Sequence, residues 1–136
     1  MALVCPNSSE LLLLKYIVGL VAAGNPVLHL YGGDDVPIHE PGEDTVIGSL
    51  TEILTSTGYA PVTLTSSSWT VEQSGSVTTA VYPEQTFTFT GTAAAHGYYV
   101  TDTAGALLWV EMFSGAPFDI PDGGGTISIT SKLTLS

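Results

Sequence analysis

The run TISITSKLTLS (residues 126–136) decides how the rest of the chain is read. Ile127, Ile129, Leu133 and Leu135 fall on one side of an extended backbone, and Thr126, Ser128, Thr130, Lys132 and Thr134 on the other. Side chains alternate across a strand with a period of two, so this run is a strand with one face toward a core and one toward water. Ser131 is the one polar residue on the apolar side. Because the pattern carries through to Ser136, the C-terminal strand is expected to be paired and packed.

The same alternation recurs upstream. In QTFTFTG (residues 85–91), Phe87 and Phe89 point one way and Thr86, Thr88 and Thr90 the other, as in a sheet wet on one face. Shorter runs of this kind cover residues 27–31, 62–65, 69–72, 77–82 and 98–103. Turn-forming breaks separate them: SSS, QSG, YPE, TAG and PDGGG. About eight or nine short strands without alternating helices predict a mainly β fold. The expected architecture is an antiparallel β-sandwich or jelly-roll-like domain with one short N-terminal α-helix. At 136 residues, a single domain spans 1–136.

The helix is expected at residues 7–23, NSSELLLLKYIVGLVAA. Pro6 precedes it, Asn7 or Ser8 is placed to cap it, Glu10 to reach back toward the cap, and Gly24 and Pro26 to end it. A secretion signal is disfavoured because MALVCPNSSE carries no lysine or arginine. A membrane span is disfavoured too: Leu11 to Ala23 is thirteen residues including Lys15, and a bilayer core needs ~18–20 apolar ones. Around the helix, Ser8, Lys15 and Gly19 form one narrow polar stripe. Leu11, Leu13, Leu14, Tyr16, Ile17, Val18, Leu20 and Val21 make the remainder apolar, more than one sheet face covers. Two readings follow: the helix is clamped between sheet and loops of its own chain, or it is partly covered by a neighbouring subunit.

Thirteen carboxylates stand against Lys15, Lys132 and no arginine, for a net charge of −11. Such a chain repels phosphate backbones and anionic lipid, so neither nucleic acid nor membrane is an expected partner. Cys5 is the lone cysteine, so the chain can form no internal disulfide and no thiolate metal cluster.

Two segments break the pattern. GGDDVPIHEPGED (residues 32–44) offers oxygen ligands on Asp34, Asp35, Glu40, Glu43 and Asp44, with His39 among them. Its spacing matches no calcium loop, and it is read as a solvated acidic loop with no metal. In ALLWVEMF (residues 106–113), Leu108, Val110 and Met112 take one face and Leu107, Trp109, Glu111 and Phe113 the other. That describes either a strand buried on both sides or an aromatic platform made by Trp109 and Phe113.

No catalytic residue is nominated: the chain has no G-x-S-x-G elbow, no H-E-x-x-H and no phosphate loop. His29, His39 and His96 are dispersed, and His29, alternating with Val27 and Tyr31, reads as a hydrogen-bonded, half-buried residue. Gly123 to Gly125 reads as a hairpin turn. No cofactor is expected.

Five stretches in this order resemble one family: GYAPVTLTSSSWTV (58–71), VYPEQTFTFTG (81–91), GYYVTD (97–102), ALLWVEMF and GGGTISITSKLTLS (123–136). They are similar to small virion structural proteins of tailed bacteriophages. The acidic loop and IGSLTEILTST (47–57) depart from the likeness most. The resemblance implies a non-enzymatic capsid cement or decoration protein, made in the host cytoplasm and carried on the outer capsid surface, with the major capsid protein as partner. It brings no residue-level site. Closed symmetry lets one patch be reused, so a homo-oligomer, and a trimer first, is expected. Candidate protein-interface residues are Leu11, Leu13, Leu14, Tyr16 and Ile17 on the helix, with Trp109 and Phe113. The alternatives are a tail- or fibre-associated virion domain, or a carbohydrate-binding β-sandwich with Trp109 or Trp69 as its platform.

Overall fold

The alternating runs pair into antiparallel sheets, and the computed structural model describes this for residues 3–135. Met1, Ala2 and Ser136 lie outside the described residues, and with Ser136 the expectation for the last position of the C-terminal strand. The protein is mainly β, with one α-helix among the described residues, α1 (Asn7–Ile17).

The main sheet runs β2 (Val62–Thr63), β1 (Val27–Gly32), β6 (Ala93–Thr101), β7 (Leu107–Met112). β8 (Phe118–Ile120) pairs with the first half of β6. All nine residues of β6 are buried, so it is the spine of the sheet. A second layer is a long ribbon. β4 (Val77–Val81) and β5 (Gln85–Phe89) pair with β10 (Lys132–Leu135) and β9 (Gly125–Ile129), and β3 (Thr70–Ser74) adds to β4. Phe87, Phe89, Ile129 and Tyr82 from the ribbon meet Leu28, Leu30, Tyr98, Val100 and Trp109 in one buried cluster.

The C-terminal run is therefore two strands, not one, divided at Thr130 and Ser131, where the Tyr82 amide donates to the Ser131 carbonyl at 2.9 Å. The alternation keeps its phase across the break: Ile129 and Ser131 are buried and Leu133 half-buried. Leu135, expected inward, is exposed. The reason is that the outer part of this sheet extends past the core: every residue of β3 is exposed.

The helix is shorter than residues 7–23 because Gly19, at φ 72°, closes it with paired backbone bonds. The Gly19 amide donates to Tyr16 and the Leu20 amide to Lys15, at 3.1 and 2.9 Å. This is the left-handed glycine stop, and it acts before Gly24. Neither Asn7 nor Ser8 caps the start; Pro6 holds the cap position with no side-chain bond.

Candidate interaction surface

The segment before the helix covers an edge that would otherwise lie open. β7 has β6 on one side only, and free strand edges invite pairing with other chains. Val4 bridges Val110 with backbone bonds of 2.8 and 2.9 Å. Further along the same edge, the Ser9 hydroxyl donates to the Leu107 carbonyl at 2.6 Å. At the other end of the helix, the Tyr16 hydroxyl donates to Asp102 Oδ2 at 2.8 Å. Burial, and then the Asp102 carboxylate, push the Tyr16 phenol up to about 12. The helix is thus anchored near both ends of its inner side, with Leu12 and Leu13 packed against the main core between the anchors.

That attachment divides the expected interface residues. Leu13 and Tyr16 face the protein's own sheet and are half-buried, so they are corrected from interface to anchoring positions. Leu11, Leu14, Ile17 and Val18 face outward at 59, 62, 79 and 75% exposure. Leu20 and Val21 extend the exposed apolar surface into the turn. Single exposed apolar residues are ordinary, but six within eleven positions of one short segment form a contiguous patch.

Trp109 is a second correction. It is 4% exposed, edge-on to Trp69 at 6.3 Å, inside the core. No aromatic platform forms with Phe113, because β7 is covered on both faces through Val110. A register shift in the pairing of β6 and β7 also breaks the expected alternation. Leu107 joins Val110 in a cluster with Tyr31, Leu50 and Tyr99, while Leu108 joins Trp109. Phe113 is half-buried, 5.4 Å from Phe118, and with Ile127 these rings line a shallow groove of about 270 Å³.

One polar cluster has the order found in nucleophilic enzymes. Glu52 Oε1 lies 2.8 Å from His29 Nδ1, and His29 Nε2 lies 3.0 Å from Thr101 Oγ1. Carboxylate, imidazole and hydroxyl in line would activate an alcohol if a substrate could reach it. Thr101 is 3% exposed, within the paired register of β1 and β6, so no carbonyl can approach its oxygen. The cluster works as a clamp. Glu52 also accepts from the Tyr59 hydroxyl at 2.8 Å, and His29 stacks on Tyr99 with centroids 4.6 Å apart. Together these bonds hold the segment carrying Glu52 against the sheet. His29 is half-buried and hydrogen-bonded, as its alternation indicates.

In the acidic loop, Asp34, Asp35, Glu40, Glu43 and Asp44 are exposed. Among the described residues, no three His, Cys, Asp or Glu converge to hold a metal. Nor is any helix among them long and apolar enough to cross a membrane.

Sequence reasoning missed Ser9. Its signal was present, since Ser9, Leu12, Leu13 and Tyr16 share one face at helical spacing and three of the four are plainly core-type. No protein-family model, curated protein or solved structure matches the chain.

Proposed function

We propose that this protein is a non-enzymatic virion structural subunit, a capsid cement or decoration protein. In this reading it binds the major capsid protein of a phage head and stabilises the shell. The observation that carries the reading is the outward apolar side of α1, held on a β scaffold and left uncovered by the described residues, which marks the chain as one subunit of a larger assembly. A surface of that kind is a contact surface, and a protein that stays bound across shell seams opposes every motion that separates them. Many such contacts over a lattice act together. The charge of −11 supports the reading, because it keeps an unassembled subunit in solution despite the patch. The likeness of residues 58–136 to small tailed-phage virion proteins supplies the class.

Burial of Trp109 removes one of the two indoles on which the carbohydrate-binding alternative rested, and the other, Trp69, is half-buried against Tyr82 and Trp109. The test is separation of source particles on a density gradient into tailless heads, tails and soluble protein, with the copy number of this chain measured by mass spectrometry. High copy number on tailless heads is expected. Confinement to tails would transfer the protein to the fibre-associated class, and absence from particles would overturn the virion reading.

A further inference from the structure

We infer that the outward side of α1 is covered by the same helix of a second copy, lying parallel to it around a rotation axis. This deepens the reading of α1 as the contact surface and concerns copy-to-copy contact alone.

Leu11, Leu14 and Val18 stand at spacings of three and four, along the middle of the exposed side. These are the alternating seam positions of a helix pair, the first and fourth places of a heptad. Glu10 and Lys15 flank the seam on opposite sides, five residues apart. At ~100° per residue they lie roughly 140° from one another around the axis, too far to pair within one helix. Among the described residues, neither makes an ion pair.

Direction follows from charge. When two identical helices run antiparallel, equivalent flanks meet, and Glu10 would face Glu10 while Lys15 faced Lys15. When they run parallel, each flank meets the opposite flank five residues on. Glu10 of one copy then reaches Lys15 of the next, and seam packing and charge agree. Lys15 is one of two cations in a chain of thirteen carboxylates, so a second copy has few other ways to offset the repulsion between them. Parallel helices related by one axis give a closed cyclic oligomer, the symmetry of a dimer or trimer.

The experiment is sedimentation equilibrium on the full-length protein, compared with Glu10→Lys, Lys15→Glu and the double reversal. The wild type is expected at a multiple of 14.1 kDa. Each single reversal turns attractions into repulsions and weakens association on the order of tenfold, and the double reversal restores it. Should a single reversal unfold the chain, Glu10→Gln and Lys15→Gln are expected to weaken association by smaller steps. A wild type at 14.1 kDa overturns the inference. So do single variants that associate like wild type, or a double reversal that fails to recover. None of these results bears on copy number at phage heads, so this inference and the virion reading fail independently.

Discussion

Replacing Ser9 with alanine tests whether the helix is held by its inner-side hydroxyl. Ser9 is fully buried at 0% exposure, and its Oγ donates to the Leu107 carbonyl across 98 positions of sequence at 2.6 Å. Removing the hydroxyl leaves the buried Leu107 carbonyl without that partner, a cost of about 2 kcal/mol. Alanine is the better helix former by about 0.5 kcal/mol, which offsets part of the loss. The expected net destabilisation is about 1.5 kcal/mol, or roughly a 5 °C drop in melting temperature for a domain of this size. Urea denaturation followed by Trp fluorescence measures it, with Ser8→Ala as the control. Ser8 is exposed and makes no such bond, so its variant should match wild type or exceed it slightly. Amide exchange adds a local readout: protection of α1 should fall more than that of β6. A Ser9→Ala variant within about 0.5 kcal/mol of wild type would refute the anchoring argument, because the bond would then carry less than an ordinary buried one.

Serine at Ile17 should leave folding stability within about 0.5 kcal/mol while weakening association or shell binding. Serine at Leu13 should instead lower stability by about 2 kcal/mol in urea denaturation, since only Leu13 packs inward. Gly97→Ala should cost about 3 kcal/mol or more. A Cβ there meets the Glu111 carbonyl and comes within 2.6 Å of the Tyr31 ring, and an ordinary melting curve for the variant would refute the close approach. Burial holds the His96 imidazole below its usual 6.5, with Asp119 opposing in part. The unfolded chain therefore takes up this proton first as pH falls below about 6.5, and stability is lost from there down through the lowered folded value. Denaturation curves between pH 7 and 5 should show a shallower loss in His96→Phe, and an unchanged slope would remove His96 as a cause.

What the sequence made legible was whatever local periodicity governs. Phe87, Phe89, Ile127 and Ile129 alternate cleanly because a ribbon has one dry face, and each falls inward. Gly123 and Gly124 turn the chain with φ of 97 and 93°, as their cluster implies. β8 and the first half of β6 gave no such signal. Ala93, Ala94 and Ala95 are all buried between neighbouring elements, so there is no polar face to alternate with. Trp109 was ambiguous for the same reason, and tertiary packing on both sides decided it. The helix boundary failed on one residue, Gly19, which fits a helix interior and a helix stop equally until its neighbours are known. For the candidate surface, composition showed too much apolar circumference but not which half the sheet would take. That division depends on Ser9 and Tyr16 finding partners 98 and 86 positions away, which no local pattern contains.

Those two anchors also bear on how the surface binds. A free helix of eleven residues is marginal in water, and a partner that had to order it would lose affinity in doing so. Here Val4, Ser9, Leu13 and Tyr16 fix the helix to β7 and its neighbouring turn before any partner arrives. Leu11, Leu14 and Val18 are thus presented in one geometry, and the ordering is supplied by folding. Rigidity alone would make a sticky protein. The negative charge opposes unselective contact between copies at long range, and in the inferred parallel pairing Glu10 and Lys15 would reverse that opposition at short range in one orientation. An apolar stripe for affinity, a fixed backbone for low entropic cost and a single lysine for direction are separable contributions. The charge reversals act on the last of these while leaving the first two in place.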